Sequence, residues 1–377
     1  MKEFLEHAQA HAGEILSSLR QIVELESFSS DKPCVDALGS YIKERLEALD
    51  ARVQVVPQEE AGDHLLADVG EGAEQVLTLC HMDTVWPTGT IQQNPFRVED
   101  GLARGPGVLD MKAGIAITLH ALEALKTLGR PPRQRVRLIF NSDEEVGSPT
   151  SRALIREEAS KSTHAFCLEP GAGKEGALKV GRKGVGIFQV KVTGRAAHAG
   201  NEPEKGISAV EEMAYQVLRL HSLTNFETGT TVNVGVMHGG SVRNQIAPSA
   251  EALVDLRVAT VAEADRVTRE VLGLSSTLPG AVVEVTGGLN RPPMEKTPAT
   301  ARLLDTARRV AKPLGIELTE AQVGGGSDGQ FAAAEGIPVL DGMGGVGEGP
   351  HADHEYIVVS ALAGRVALLA SLLAGSG

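Results

Sequence analysis

The chain has 377 residues, a length that indicates two domains rather than one. Its formal net charge of −13 argues against nucleic acid or an anionic membrane as a partner. Three cysteines, the lack of an apolar run of about 18 residues and the lack of a signal peptide predict a cytoplasmic protein that is not associated with a membrane.

The first part of the chain has the pattern of helices followed by alternating strands and helices. Apolar residues recur at helical spacing over 5–23 and 35–49, which predicts a helix in each stretch. Two further helices are predicted at 115–128 and 154–160. Short apolar runs predict strands at 52–56, 64–69, 76–80, 136–140 and 165–168. This alternation favours an α/β fold, with a mostly parallel central sheet between two layers of helices.

The middle of the chain follows a different order. Strands are predicted at 186–192, 230–237, 250–258 and 281–285, and helices at 207–221 and 261–275. The order strand–helix–strand–strand–helix–strand is that of the ferredoxin-like fold. The first pattern then returns, with helices at 300–314, 328–335 and 358–373 and a strand at 338–340. We therefore expect residues 1–181 and 292–377 to form one large α/β domain, into which a smaller α+β domain of residues 182–291 is inserted.

His81 and Asp83 directly follow the strand predicted at 76–80. A spacing of two places both side chains on one side of an extended chain, and ligands bind at the carboxyl ends of strands in such sheets. His81 could therefore bind a metal ion while Asp83 accepts its other N–H. The alternative for an isolated His-x-Asp is a strand end without function.

Acidic residues lie at comparable positions further along the chain. Asp110 lies in the glycine-rich segment 105–114, just before a predicted helix, and is either a helix N-cap or a carboxylate that bridges two metal ions. A phosphate loop is a rival interpretation of this segment, but the Gly-Lys-Ser/Thr ending is missing. Glu144 and Glu145 follow the strand at 136–140, and Glu169 ends the run at 165–168. Solvated surface turns are the alternative for these acids.

His351 follows the glycine-rich stretch 342–349, and His354 competes with it as a ligand. Four strand ends thus offer a histidine, an aspartate or a glutamate. Imidazole and carboxylate ligands suit zinc, and a shared carboxylate can hold two ions close together. The set as a whole therefore predicts a metal centre more specifically than any of its members.

These motifs, in this order, resemble the zinc aminoacylase and carboxypeptidase family over nearly the whole chain. They are His81-Met82-Asp83-Thr84-Val85, Asp110-Met111-Lys112-x-Gly114, Asp143-Glu144-Glu145-x-Gly147 and Glu169-Pro170. Three further segments are most similar to the bacterial glutamate carboxypeptidases of that family, which cleave folates: 105–107, Gly194-x-x-x-His198-Ala199-Gly200 and 324–328. The family usually has glycine at the position of Ala113.

The resemblance implies two zinc ions, or cobalt or manganese ions, which accept similar ligands. One ion would be held by His81, Asp110 and Glu169, and the other by Asp110, Glu145 and His351. Asp83 would orient His81, and Glu144 would take a proton from the bridging water and pass it to the leaving amine. The Asp110–Met111 peptide bond would be cis, and His354 would face solvent.

The resemblance also implies that the small domain forms a homodimer. His198 would reach the active site of the partner and stabilise the oxyanion, with a turn histidine as the alternative. Asn244 and Arg257 match positions that bind the carboxylate end of the substrate. For Arg257, a surface cation paired with Asp255 is the alternative.

Taken together, these residues imply a hydrolase that cleaves the amide bond of an N-acyl amino acid or a C-terminal peptide bond, releasing glutamate or a similar amino acid. A second hypothesis is a deacylase or desuccinylase of the same family that acts on small N-acyl amino acids. A third, from another class, is a non-catalytic dimer that binds metal or amino acids. The intact Glu144 and His198 argue against this third hypothesis, and a phosphate site at 324–326 is weaker still because no lysine follows.

Overall fold

The computed structural model describes residues 1–375; Ser376 and Gly377, the end of the predicted segment 292–377, lie outside the described residues. The chain divides into two compact units. The larger unit comprises Met1–Gly181, Lys296–Val323 and the chain from Ser327 onward, and the smaller comprises Arg182–Glu295 and Gly324–Gly326. Within residues 1–375, no helix has both the length and the apolar character that crossing a membrane requires.

Helices and strands alternate along most of the described chain. The helices are α1 Lys2–Ala10, α2 Ala12–Glu24, α3 Lys32–Ala48, α4 Thr90–Gln93, α5 Ala113–Thr127, α6 Arg152–Ser160, α7 Ala209–His221, α8 Val261–Leu272, α9 Pro298–Ala311, α10 Gly329–Ala334 and α11 Leu362–Leu373. The strands are β1 Arg52–Val56, β2 His64–Val69, β3 Gln75–His81, β4 Arg97–Glu99, β5 Leu102–Arg104, β6 Arg135–Asn141, β7 His164–Cys167, β8 Leu178–Arg182, β9 Gly184–Thr193, β10 Thr231–Gly239, β11 Ser249–Val258, β12 Val282–Arg291, β13 Glu320–Val323, β14 Val339–Leu340, β15 Gly347–Glu348 and β16 Tyr356–Val358.

The larger unit is built on a six-stranded sheet with the order β1-β2-β6-β3-β7-β14. Strands β6, β3, β7 and β14 run parallel, whereas β1 and β2 are antiparallel additions. Every residue of β3 is buried, as expected for a continuous apolar run at the centre of such a sheet. The parallel arrangement brings the carboxyl ends of β3, β6 and β7 to one edge. The prediction of an α/β fold with a mostly parallel sheet is confirmed.

Several features of the larger unit differ from the prediction, among them helix α4 and the two-stranded sheet β13-β8, which the sequence did not indicate. The helix predicted over 5–23 is interrupted at His11, whose φ of −104° and ψ of 19° depart from helical values. The His7 main-chain oxygen accepts both the main-chain N–H of His11 at 3.1 Å and its Nδ1–H at 2.8 Å. The sequence also did not indicate the small antiparallel sheet β15-β16-β5-β4. Its strands have only two or three residues, too few for an apolar period to be recognised.

The smaller unit contains the order β9-α7-β10-β11-α8-β12. Its sheet has the strand order β10-β11-β9-β12, with antiparallel neighbours throughout, which is the ferredoxin-like arrangement. Alternate residues of β9 and β11 are buried together with apolar residues of α7 and α8. Strand β12 extends well beyond the predicted 281–285, because Gly287 and Gly288 remain paired with β9.

Glu212 in α7 anchors the segment that follows α8. Its buried carboxylate accepts the main-chain N–H groups of Thr277 at 2.9 Å and Leu278 at 2.6 Å, and the side-chain amide of Gln216 at 2.5 Å. Burial alone would raise the pKa of Glu212, but these hydrogen bonds outweigh it and lower the pKa. The ionised carboxylate is therefore the form that stabilises the fold.

We predict that Glu212→Gln lowers the free energy of unfolding by about 2 kcal/mol at neutral pH, because an amide cannot accept all of these N–H groups. Since the pKa of Glu212 is lower in the folded than in the unfolded chain, this contribution is present above the ordinary glutamate pKa of 4.5 and fades as the pH falls below it. Urea unfolding across this range measures the effect. Glu211→Gln, an exposed neighbour in the same helical turn, is the control; equal losses in both variants would contradict the prediction.

Candidate metal centre

Histidines and carboxylates collect at the carboxyl edge of the parallel strands. His81 is the last residue of β3, and Glu169 lies two residues beyond β7. Glu144 and Glu145 form a short 3-10 turn after β6. Asp110 lies in the tight turn Val108–Lys112 that leads into α5. The sheet topology therefore delivers side chains that are far apart in sequence to one place.

A first group consists of His81, Asp110 and Glu169. The Nε2 atom of His81 lies 3.2 Å from Oδ1 of Asp110 and 3.5 Å from Oε1 of Glu169. His81 and Glu169 are buried. One candidate ligand atom from each of the three residues lies within 4.8 Å of the others, which is close enough for a single metal ion.

A second group consists of Asp110, Glu145 and His351, with the same closeness of ligand atoms. The Nε2 atom of His351 lies 3.4 Å from Oδ2 of Asp110 and 3.1 Å from Oε2 of Glu145. Asp110 thus offers Oδ1 to the first group and Oδ2 to the second. The structure brings together both sets that the resemblance implied, and it places His354 on the surface. Metal binding by these residues stays a prediction.

The electrostatics of this cluster favour a cation. Hydrogen bonds with Asp110 and Glu145 raise the pKa of His351 to about 10. Burial by itself would lower the pKa of His81, but hydrogen bonds with Asp110, Asp83 and Glu169 raise it well above the ordinary value. Burial raises the pKa of Glu145, whose Oε1 is buried without a hydrogen-bond partner in the described chain. An orphaned carboxylate oxygen among other carboxylates fits a divalent ion.

Asp83 has two roles, one of which the sequence did not indicate. His81 donates its Nδ1–H to the main-chain oxygen of Asp83 at 2.9 Å, while the Asp83 carboxylate is 3.5 Å away. In the neutral ring this bond places the proton on Nδ1 and the lone pair on Nε2, the atom that faces Asp110 and Glu169 and that would bind metal. The carboxylate itself accepts the main-chain N–H groups of Glu144 at 3.2 Å and Glu145 at 3.1 Å, and the Ser29 hydroxyl at 2.8 Å. Asp83 therefore orients both His81 and the acidic turn.

The acids of that turn face different surroundings. Glu144 lines a small cavity together with His81 and Glu169. Asp143, in contrast, accepts the main-chain N–H and hydroxyl of Thr150, each at 2.7 Å, and the hydroxyl of Ser151 at 2.5 Å. Asp143 is a structural residue, and the candidate proton carrier is Glu144.

Lys112, which belongs to the motif around Asp110, makes specific contacts with the main chain at the end of α2. Its side chain is buried, and its ammonium group donates to the main-chain oxygens of Val23 at 3.3 Å and Leu25 at 2.7 Å, at the end of α2. Burial lowers the pKa of Lys112 to about 7. The sequence feature that could have indicated these contacts is the presence of a lysine among the apolar residues around the start of α5. The adjacent Asp110–Met111 peptide bond is cis, as the resemblance implied.

In the smaller unit, His198 and Asn244 are neighbours. The main-chain N–H groups of Gly200 and Asn201 donate to Nδ1 of His198, each at 3.1 Å. The neutral ring therefore carries its proton on Nε2, as a donor to an oxyanion requires. Asn244 accepts the N–H of Ala199 through its main-chain oxygen at 3.0 Å.

Arg257 forms the ion pair that was the alternative to substrate binding. Its Nε and Nη2 atoms donate to the two carboxylate oxygens of Asp255, both at 3.1 Å. Its Nη1 atom lies 3.4 Å from the main-chain oxygen of Gly324. A role of Arg257 in binding the substrate stays a prediction.

Comparison with known proteins agrees with this geometry. Residues 77–375 match the model of peptidase family M20/M25/M40. Carboxypeptidase G2 of a Pseudomonas species is 33% identical over 370 residues, which cover 96% of this chain and 89% of that protein. Acetylornithine deacetylase of Pasteurella multocida is 27% identical, over 68% of this chain and 69% of its own length.

A solved structure shares the fold. The Bacillus subtilis YXEP protein, described as a dinuclear metal-binding peptidase from the M20 family, superimposes with a TM-score of 0.72 at 18% identity and covers 98% of this chain and 99% of its own. The resemblance based on the motifs is thereby confirmed. With a family match over most of its length and a carboxypeptidase relative that spans 96% of it, the chain belongs to peptidase family M20/M25/M40 and is a hydrolase.

Proposed function

We propose that this protein is a two-zinc carboxypeptidase that releases glutamate or a similar amino acid from an N-acyl amino acid or a C-terminal peptide bond. The observation that carries the proposal is the sharing of Asp110 between two ligand groups, with Glu144 beside them. The similarity to carboxypeptidase G2, which is 33% identical to this chain, supports cleavage of a C-terminal peptide bond.

The residues of the chain divide the reaction among them. When bound, the two metal ions would polarise the amide carbonyl and make water more acidic. Glu144 takes a proton from the attacking water as the C–O bond forms, and returns it to the amine as the C–N bond breaks. Asp83 holds the turn that carries Glu144, so that the proton carrier keeps its position beside His81.

We also propose that residues 182–291 form a dimerisation domain and that His198 acts in the active site of the partner. The exposed apolar residues of the smaller unit support an interface with a second copy of the chain. Val236 and Met237 lie on β10, which is an edge strand, and Tyr215 and Leu218 project from α7. The sparse, odd number of cysteines supports a cytoplasmic location.

Asn244 and Arg257 are proposed to bind the α-carboxylate of the released amino acid. Asp255 already occupies the Nε/Nη2 edge of the Arg257 guanidinium. The substrate carboxylate would therefore approach the other edge, formed by Nη1 and Nη2, where two parallel hydrogen bonds are possible.

A deacylase or desuccinylase is the second candidate, because an acetylornithine deacetylase is also among the relatives. In that case the small acyl group, rather than the released amino acid, would define the substrate. A non-catalytic dimer that binds metal or amino acids would retain the ligand groups but show no turnover.

We expect Glu144→Gln to bind metal like the wild type but to lose about a thousandfold in kcat, because the amide cannot carry the proton. The neighbouring Glu145→Gln should instead lose metal. Metal content by mass spectrometry and single-turnover kinetics separate the two effects. Full activity of Glu144→Gln would rule out this assignment.

A substrate panel tests the substrate class. We expect the protein to release glutamate from C-terminal glutamyl substrates faster than it releases acetate or succinate from small N-acyl amino acids. Removal of metal by a chelator should abolish the activity, and zinc or cobalt should restore it. Preferred release of acetate or succinate would favour the deacylase, and metal binding without any turnover would favour the binding protein.

Mixed dimers test the role of His198. Glu144→Gln and His198→Ala should each be inactive alone. If His198 acts across the dimer, mixed dimers regain one intact site, and an equimolar mixture recovers about a quarter of the wild-type activity, because half of the dimers are mixed. Mixing two copies of the same variant is the control. No recovery, with mixed dimers demonstrated by mass spectrometry, would contradict action across the dimer.

A further inference from the structure

Glu355 is a buried acid with an unusual number of hydrogen-bond donors. It is 1% exposed, and its carboxylate accepts four N–H groups. The main-chain N–H groups of Leu109 and Asp110 donate to Oε1 at 2.8 and 3.0 Å. The main-chain N–H of Gly107 and the indole N–H of Trp86 donate to Oε2 at 3.0 and 3.1 Å.

Burial of a carboxylate costs free energy, so the buried position of Glu355 requires compensating interactions. Within residues 1–375, no lysine or arginine lies within ion-pair distance of Glu355. Its direct partners are N–H groups, and the ammonium of the buried Lys112 adds an electrostatic attraction without a direct contact. Three of the four donors, the N–H groups of Gly107, Leu109 and Asp110, lie in the turn Val108–Lys112 or directly before it, and this turn contains Asp110. The contacts therefore serve the placement of Asp110 more than the packing of Glu355 itself.

The same carboxylate links three segments that carry candidate metal ligands. Trp86 lies five residues after His81, and the main-chain donors lead into Asp110. Glu355 itself lies four residues after His351, on the segment that enters β16. Arg104 adds a bond of 2.9 Å to the main-chain oxygen of His354, which holds the same segment. One buried side chain thus fixes the relative positions of the loops that bear His81, Asp110 and His351.

We propose that Glu355 is a positioning residue of the metal centre, which sets the spacing of Asp110 and His351 and couples Trp86 to metal binding. This inference rests on the proposed two-metal function. Glu355 belongs to neither candidate ligand group; it acts through the main chain of Asp110. This role differs from that of Asp83, which accepts hydrogen bonds from His81 and from the main-chain N–H groups of Glu144 and Glu145.

Glu355→Gln is the sharpest variant, because it keeps the shape and removes half of the acceptors. The Gln Oε1 can still accept from one side, but its Nε2–H groups would face N–H donors on the other. Glu355→Asp is a second variant that keeps the charge but shortens the reach, and it serves if the Gln variant does not fold. Glu348→Gln is the matched control, since Glu348 lies seven residues before Glu355, in β15, and is half-buried. Among the described residues, its carboxylate accepts the Tyr356 hydroxyl and pairs with Lys174 at 3.8 Å.

The experiment measures metal binding and the emission of Trp86. Trp86 is the single tryptophan of the chain, so its fluorescence reports this contact alone. Each protein is stripped of metal and titrated with zinc, followed by calorimetry and by fluorescence. We expect the wild type and Glu348→Gln to bind two ions. Glu355→Gln should bind at least one ion tenfold or more weakly, about the effect of losing a residue that orients a ligand.

Two further results are expected if Glu355 acts by positioning. The emission of Trp86 in metal-free Glu355→Gln should shift to longer wavelength, because the indole loses its buried acceptor. Excess zinc should recover part of the lost kcat, with KM close to that of the wild type, which a general loss of stability would not produce. Circular dichroism and thermal unfolding check that each variant is folded.

The outcomes separate this inference from the proposed function. If the wild type binds two ions and both Glu355 variants bind them equally well with unchanged Trp86 emission, the positioning role is wrong and the two-metal function stands. If the wild type binds fewer than two ions, the proposed function is wrong and this inference fails with it.

Discussion

The placement of the Asp110 carboxylate is the constraint on which the rest of the site depends. Its two oxygens face two histidines, Oδ1 towards His81 and Oδ2 towards His351. Glu169 completes one group and Glu145 the other. Since a single carboxylate serves both groups, a shift of Asp110 would disturb both at once. Two buried polar side chains hold the turn Val108–Lys112, which contains Asp110. Glu355 accepts the main-chain N–H of Asp110, and Lys112 donates to the main-chain oxygen of Leu25 at the end of α2.

The acidic run 143–145 illustrates how environment divides roles among identical groups. Burial would raise the pKa of Asp143, but hydrogen bonds from Ser151 and Thr150 lower it, and both oxygens are satisfied. Burial raises the pKa of Glu145, and one of its oxygens has no hydrogen-bond partner in residues 1–375. Glu144 lines the cavity beside His81. A structural residue, a candidate proton carrier and a candidate metal ligand thus follow one another along Asp143, Glu144 and Glu145.

The sequence was sufficient to predict the central sheet, because apolar runs are local patterns. The division of the candidate ligands into two groups came from the resemblance of the motifs, and their binding of metal stays a prediction. Apolar runs mark β3, β6 and β7. His81 ends β3, Glu145 lies in the turn after β6, and Glu169 lies two residues after β7. Features that depend on distant partners were out of reach: the short strands β5 and β16 pair across more than 250 positions, and Glu355 meets Trp86 across a similar separation. The partner of Arg257 was also open at the level of sequence, because either Asp255 or a substrate carboxylate could pair with its guanidinium group.

The central claim is that Asp110 bridges two metal ions. The most direct measurement is an anomalous difference map from crystals of zinc-loaded protein, recorded on both sides of the zinc absorption edge. We expect two peaks that flank the Asp110 carboxylate, about 3.5–4 Å apart, one beside His81 and Glu169 and the other beside Glu145 and His351. A single peak, or two peaks that do not share Asp110 as a ligand, would contradict it.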